Sequence, residues 1–220
     1  MSDEEYVVSQ SARYKEMSQI MNFAHPLLSG ANSLLDIGAG TGMLVKRAIE
    51  LGYFSWGIEP SKQFCEVAEH LGLPVKQGVF PADSNVEKFD VITLIDVTEH
   101  VNSPLNFLAQ VKGNLNPHGF VVISTPDCNS VVAKLLQWKW WHYRIAHIGY
   151  FNQYHLDQAM AKCGFKLIGK SRPSWYFSLD YLLERILKFS TNRHFKIPIL
   201  QAIQIRINLR DSILCVYQAE

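Results

Sequence analysis

Asp36-Ile37-Gly38-Ala39-Gly40-Thr41-Gly42 decides the fold. A short apolar run, Ser33 to Ile37, leads into it, and Gly42 to Leu51 behind it carries apolar residues at helical spacing. Glycines between a strand and a helix permit a sharp turn and let a ligand reach the backbone where a Cβ would intrude. The spacing is G-x-G-x-G, because position 43 is Met, and so departs from the G-x-G-x-x-G of dinucleotide binders. Asp36 puts a carboxylate beside the loop. That is unwelcome to a pyrophosphate at a helix N-terminus but suits a ligand ammonium or sulfonium.

Outward from the loop, short apolar runs alternate with longer amphipathic segments, the pattern of parallel strands joined by covering helices. Phe54 to Ile58 is a second predicted strand, and Glu59 at its end is an acid able to accept both hydroxyls of a ribose. The two carboxylates predict a ligand with a ribose at one end and positive charge at the other. Ser61 caps a helix to about Leu71, and Pro74 to Gln77 is a third strand. Phe89 to Ile95 is almost wholly apolar, as a strand buried on both faces must be. Ser103-Pro104 opens a helix that ends before Asn116-Pro117-His118-Gly119, and Phe120 to Ser124 is a fifth strand. Asn152 to Cys163 is a helix stopped by Gly164, Phe165 to Lys170 a sixth strand and Asp211 to Tyr217 a seventh.

Composition bounds the rest. With 48% hydrophobic and 19% charged residues, the 220-residue chain suits one folded domain with a sizeable core and not a disordered chain. Residues 1–30 form a predicted helical cover, 33–125 the cofactor-binding core, 126–150 an acceptor-side insert and 173–208 an apolar and basic insert near the C-terminus. Twenty-one basic residues against 20 acidic ones leave no global field, so a nucleic-acid partner is not expected. The acidic start, Met1-Ser2-Asp3-Glu4-Glu5, is not a secretory signal, and no apolar stretch approaches the ~18 residues of a membrane span. The four cysteines form no C-x-x-C pair, so neither zinc knuckle nor disulfide framework is indicated. A cytoplasmic location is the expectation.

From about Ser33 to Phe165 the chain resembles the class I S-adenosylmethionine-dependent methyltransferases. The resemblance rests on Leu35 to Gly42, Gly57-Ile58-Glu59-Pro60-Ser61, Phe89-Asp90-Val91-Ile92 and Asn116 to Phe120. Asp96-Val97-Thr98-Glu99-His100-Val101 with Ser103-Pro104, then Ser124-Thr125-Pro126, is similar to the group containing the ubiquinone-biosynthesis O-methyltransferases. The resemblance implies a doubly wound α/β fold: a seven-stranded, mostly parallel sheet in order 3-2-1-4-5-7-6, the last strand antiparallel, with helices on both faces. It implies S-adenosyl-L-methionine as cofactor, held by Asp36, Gly38, Ala39, Gly40, Gly42, Glu59, Pro60, Gly78, Val79, Asp96 and Val97. Gln77-Gly78-Val79-Phe80 lacks the acid that relatives often place there to meet the adenine amino group.

Methyl transfer from a sulfonium is an in-line displacement, so the protein must align donor and acceptor, exclude water and, where needed, take a proton. Candidate bases are His100 and, in the insert, His147; His142 is expected to be structural. Relatives carry a Glu-x-x-Glu-His arrangement associated with a divalent metal in some members. Asp96 replaces its first glutamate here, so no metal is expected, with Asp96, Glu99 and His100 the alternative ligand set. Trp138, Trp140, Trp141, His142 and Tyr143, then His147 to Phe151, are the densest aromatic cluster and suit the wall of a pocket for an apolar acceptor. Leu179, Leu182, Leu183, Ile186 and Leu187 recur at helical spacing, and basic residues outnumber acidic ones from 173 to 210. That segment fits burial on the sheet, a lid admitting an apolar or anionic acceptor, peripheral membrane contact or a homodimer interface. The expected reaction is methyl transfer to a small molecule, at oxygen by the resemblance. A nucleotide-dependent oxidoreductase and a non-catalytic S-adenosylmethionine-binding protein stay open.

Overall fold

The computed structural model describes residues 3–81, 88–179, 183, 200 and 203–220. Strands β1 (Ser33–Ile37), β2 (Phe54–Glu59), β3 (Val75–Gln77), β4 (Phe89–Ile95), β5 (Leu115–Pro126), β6 (Phe165–Ser171) and β9 (Ser212–Ala219) form one sheet in the order β3-β2-β1-β4-β5-β9-β6. β9 runs antiparallel to both β5 and β6, and the pairs among the first five strands are parallel. Counted within the sheet, β9 is the seventh strand, so the order is the one the resemblance implies. It also differs from the 3-2-1-4-5-6 order of dinucleotide-binding sheets.

Alternation along the strands builds two cores. Leu35, Ile37, Ile92, Leu94, Val121, Ile123 and Tyr217 face one way, against Phe107, Leu108 and Val111 of α4 (Pro104–Gly113) and Leu156 and Met160 of α6 (Gln153–Lys162). Leu34, Val91, Val122 and Val216 face the other, against Met17, Ile20 and Met21 of α1 (Asp3–Ala24) and Met43, Leu44 and Ala48 of α2 (Met43–Glu50). Each fully buried leucine or isoleucine contributes roughly 1.5–3 kcal/mol. Both sheet faces are therefore closed, and ligand access is left to the carboxyl ends of the strands, where α/β sheets bind.

The helix boundaries follow local chemistry. Ser61 Oγ accepts the Phe64 amide at the start of α3 (Lys62–His70), and Asn152 Oδ1 accepts the His155 amide at the start of α6. One expectation is corrected. β5 is longer than Phe120 to Ser124, because Leu115 pairs with Phe89 across an irregularity that takes in Asn116-Pro117-His118-Gly119. At the two ends of the apolar and basic insert, β7 (Trp175–Ser178) and β8 (Gln204–Ile207) pair antiparallel, outside the main sheet. This strand pair lies on α1, where the Tyr176 amide donates to Glu16 Oε1 at 3.0 Å and Arg206 donates to Gln19 at 3.0 Å. Leu182, Ile186 and Leu187 lie outside the described residues.

Candidate active site

The glycine loop is sewn to the end of β2. Gly38 and Ala39 both donate to Ile58 O, at 2.8 and 3.1 Å. Gly38 has φ +74°, and a Cβ there would stand 2.7 Å from Val97 Cγ2, so only glycine lets the turn after β4 close upon the loop. Glu59 is buried and grips the loop itself: Oε2 accepts the Gly40 amide and Oε1 the Ser61 amide, each at 2.8 Å. A carboxylate offers about four lone-pair sites, so two remain for a ligand's hydroxyls. Beyond β3 the Gly78 amide donates to Glu59 O at 3.0 Å, Gln77 Nε2 reaches Pro60 O at 3.5 Å, and Val79 is exposed. The structure thus gathers Glu59, Pro60, Gly78 and Val79 at one edge of the loop. Residues 82–87, which follow, lie outside the described residues.

Asp36 closes the other edge. It is 3% exposed, and Oδ1 accepts the Thr93 hydroxyl at 2.6 Å. Burial pushes its carboxyl up to about 7, against the pull of the Thr93 bond and of Arg13. Arg13, from α1, lines a cavity of about 20 Å³ together with Asp36, Gly38, Ala39 and Thr41, roughly room for one water. The same guanidinium lies 3.7 Å from Asp96 Oδ2 and 3.5 Å from Glu16 Oε2. Sequence reasoning missed Arg13: it sits in a polar stretch of a helix, with no motif around it. Only the packing of α1 across the loop brings it to the carboxylates.

The turn from Asp96 to Val101 joins this cofactor side to the insert. Asp96 takes the left-handed region, φ 57°, uncommon for a residue with a side chain. Glu99 is 2% exposed; Oε2 accepts the Thr125 hydroxyl at 3.0 Å, whereas Oε1 is buried without a partner. Burial, reinforced by the nearby Asp96, pushes its carboxyl up to about 8. Ile148 and Gly149 both donate their amides to Glu99 O, at 2.9 and 3.0 Å, which pins the insert to this turn. His100 Nδ1 lies 2.7 Å from Ala146 O, so it carries the proton and Nε2 is the basic nitrogen. The His100 and His147 rings meet edge to face with centroids 4.8 Å apart. Burial, reinforced by the nearby His100, His142 and Arg144, drives His147 down to about 4. Its Nδ1 is buried without a partner.

One ligand atom from each of Glu99, His100 and His147 lies within 4.8 Å of the others. Two imidazoles and a carboxylate suit a borderline divalent ion better than magnesium. The unpartnered Glu99 Oε1 and His147 Nδ1 fit such an ion. This set differs by one member from Asp96, Glu99 and His100, since the Asp96 carboxylate turns to Arg13.

The aromatic segment divides in two. Trp140 is 1% exposed and donates from Nε1 to Asp211 Oδ2 at 3.3 Å, and His142 Nε2 stands 3.6 Å from the same oxygen. Burial would raise the Asp211 carboxyl, but the His142 and Trp140 contacts hold it below the usual range. His142 is thus part of the anchor of the insert. Trp138, by contrast, is 77% exposed and walls nothing.

Known proteins share the fold. A family model described as a methyltransferase domain matches residues 9–170, which includes Arg13, the loop, Glu59 and both candidate bases. The ubiquinone biosynthesis O-methyltransferase of Bradyrhizobium diazoefficiens is 30% identical over 106 residues, 46% of this chain and 42% of that one. The mitochondrial ubiquinone biosynthesis O-methyltransferase of Schizosaccharomyces pombe is 35% identical over 112 residues, 47% of this chain and 40% of that one. The chain thus spans about two fifths of the length of these curated relatives. Among solved structures, a SAM-dependent methyltransferase from Archaeoglobus fulgidus superposes with TM-score 0.65 at 14% identity, covering 97% of this chain and 98% of that one.

Proposed function

The chain belongs to the methyltransferase-domain family and uses S-adenosylmethionine, and we propose that it transfers the methyl group to a hydroxyl oxygen of a small-molecule acceptor. The observation that carries the oxygen assignment is His100, an exposed imidazole whose Nδ1–H is committed to Ala146 O and whose Nε2 is left basic. The relatives in Bradyrhizobium and Schizosaccharomyces are O-methyltransferases, which supports the same reading.

The bound cofactor supplies an electrophilic methyl group on a sulfonium sulfur. Glu59 takes the ribose hydroxyls on its two remaining lone pairs while its other bonds hold the loop taut. Asp36 faces the cationic end. Arg13, 3.7 Å from Asp96, is the residue that would hold the carboxylate of the methionyl group, an anion its guanidinium can grip with two parallel bonds. The bound donor would supply the methyl carbon, its carbon–sulfur pair going to sulfur as the acceptor oxygen bonds to carbon, and His100 Nε2 would take the hydroxyl proton. His147, held neutral, adds no charge beside that imidazolium and closes the pocket against water.

A second reading is favoured by the two orphan atoms. A divalent ion held by Glu99, His100 and His147 would lower the pKa of the acceptor hydroxyl and stand in for His100 as base.

The deciding experiment incubates the protein with methyl-labelled S-adenosylmethionine and a metabolite extract, with and without a chelator, and identifies labelled products by mass spectrometry. A methyl ether is the expected product. A labelled amine overturns the oxygen assignment, and failure to label anything while S-adenosylhomocysteine still binds overturns catalysis. Activity lost to the chelator and restored by a divalent ion selects the second reading.

A further inference from the structure

Strands β6 and β9 are antiparallel, so the chain leaving β6 at Arg172 and the chain entering β9 from Arg210 meet at one end of the sheet. Pro126 pairs with Ser212, which makes this the carboxyl end of β5 as well, the end at which α/β sheets take ligands. An open cleft of about 780 Å³ lies there, lined by Gln153, Lys170, Ser171, Arg172, Asn208 and Arg210. Among the described residues its lining thus holds three cations, three neutral polar side chains and no carboxylate. Gln153, Arg172 and Arg210 also line a second lobe of about 630 Å³, between the starts of α5 (Val131–Leu136) and α6.

The charges around the cleft are not used alike. Arg172 belongs to the frame: Nη1 donates to Asp127 Oδ2 at 2.6 Å and to the Ser212 carbonyl at 3.2 Å. The two acids of the second lobe are engaged as well. Asp127 holds Arg172 through Oδ2 and accepts the Asn129 amide on Oδ1 at 2.9 Å. Asp157 Oδ1 accepts the Tyr217 hydroxyl at 2.5 Å and Gln153 Nε2 at 3.0 Å. Asp211, next in the chain to Arg210, turns its carboxylate to Trp140 and His142. Lys170 and Arg210 are left over. Among the described residues neither side-chain cation has a hydrogen bond or an acidic partner. The Arg210 backbone is nonetheless fixed, its amide donating to Asn208 Oδ1 at 2.9 Å and its carbonyl accepting Arg172 Nη1 at 3.4 Å. Two cations without an anion on the wall of one cleft repel each other and do nothing for folding.

We propose that this cleft binds the phosphate group of a phosphorylated small molecule. Two uncompensated cations match the charge of about −1.5 to −2 on a phosphate monoester at pH 7, whereas a carboxylate balances only one of them. The three terminal oxygens of the phosphate match the donors on offer: Lys170 Nζ, the Arg210 fork and Arg172 Nη2. The cleft shares no residue with the cofactor side or the candidate bases, and phosphate binding there does not depend on which atom accepts the methyl group. Its place at the carboxyl end of the sheet suits a phosphate carried by the acceptor or one on a separate effector.

The test is calorimetry of the full chain with inorganic phosphate and with phenyl phosphate at constant ionic strength, with acetate as the carboxylate control. Saturable binding of both phosphates, and none of acetate over the same concentrations, is expected. Lys170→Gln and Arg210→Gln should each weaken phosphate binding about tenfold, the worth of one charge-assisted bond. S-adenosylhomocysteine affinity and melting temperature should stay as in the parent, because neither side chain bonds to the fold. Methyl-labelled products from a metabolite extract then separate the two sources: products that carry a phosphate place it on the acceptor, and products without one place it on an effector. Absence of saturable phosphate binding overturns the proposal. So does binding that the double variant Lys170→Gln, Arg210→Gln retains, or binding that S-adenosylhomocysteine displaces, since phosphate would then sit at Arg13.

Discussion

Replacing Asp36 by Asn should stabilise the ligand-free protein at pH 8 and cripple cofactor binding. In the folded protein the buried carboxyl ionises at about 7, against an ordinary 3.8, with burial the largest cause. The native state therefore holds this proton more tightly than the unfolded chain does. Its stabilising effect is full below about pH 4, is lost as pH rises, and is gone above about pH 7. Raising an ionisation point by one pH unit corresponds to about 1.36 kcal/mol, so about 3 kcal/mol of stability should disappear between pH 5 and pH 8, as an upper bound. Asn cannot ionise, and its Oδ1 can still accept the Thr93 hydroxyl that Asp36 accepts at 2.6 Å.

Urea unfolding of both proteins at pH 5, 6.5 and 8 measures the difference. Glu99, with its carboxyl also raised, contributes the same sign of pH dependence in both proteins and cancels on subtraction. The variant should gain on the parent by up to about 3 kcal/mol from pH 5 to pH 8. Calorimetry with S-adenosylhomocysteine measures the functional side. Parent affinity should rise about fivefold from pH 6 to pH 7 as the ionised fraction of Asp36 grows, and the variant should show no such rise. Parallel stability profiles for the two proteins would refute the reasoning, because Asp36 would then not be the group that titrates. On the proposed reading the arrangement would trade stability against function, an anion kept dry so that a cation binds it.

Glu59→Gln should weaken S-adenosylhomocysteine binding at least tenfold by calorimetry, since charge-assisted bonds are worth ~1.5–3 kcal/mol each. Glu59→Ala should also lower the melting temperature, because it frees the Gly40 and Ser61 amides. Arg13→Ala should reduce cofactor affinity and spare adenosine affinity, whereas equal losses for both ligands would remove Arg13 from the methionyl end. His100→Ala should cut single-turnover methyl transfer by about 100- to 10,000-fold with cofactor affinity unchanged. His147→Gln should do less, because a base of pKa about 4 accepts protons poorly at neutral pH. In the parent, the stability contributed by neutral His147 is full above about pH 6.5 and is lost as pH falls toward 4. His147→Gln should flatten that acid limb of the urea profile.

The glycine loop and the acid beside it were legible because local sequence dictates their geometry. A strand, a tight turn and a helix are contiguous, so Asp36 to Gly42 fold together whatever lies elsewhere, and the acid ending the neighbouring parallel strand must arrive beside them. β4 was equally plain from its unbroken apolar run, and its bounds match the expectation at both ends. The acceptor side is a product of tertiary packing. Nothing in Ser11-Ala12-Arg13-Tyr14 shows that α1 will cross the loop, and nothing near Asp211 shows that it will receive Trp140 and His142. Leucine spacing over Leu179 to Leu187 says nothing of the β-rich ends of the insert, Trp175–Ser178 and Gln204–Ile207, which pair as strands. The aromatic cluster was visible, but composition cannot separate an inward Trp140 from an outward Trp138.

Those nonlocal pieces converge on a single turn. Through Asp96 it contacts Arg13 of α1; through the Glu99 carbonyl it holds the insert; through His100 it reaches Ala146; through Glu99 Oε2 it bonds Thr125 at the end of β5. A turn tied to three separate elements has few places to move, which suits the role proposed for His100, whose Nε2 would stand within about 3 Å of a reacting atom. On the proposed reading it would also couple the two ends of the site: if Arg13 pairs with a cofactor carboxylate, Asp96, whose carboxyl burial already raises, would lose the first of the cations that oppose that rise, beside Glu99 and His100.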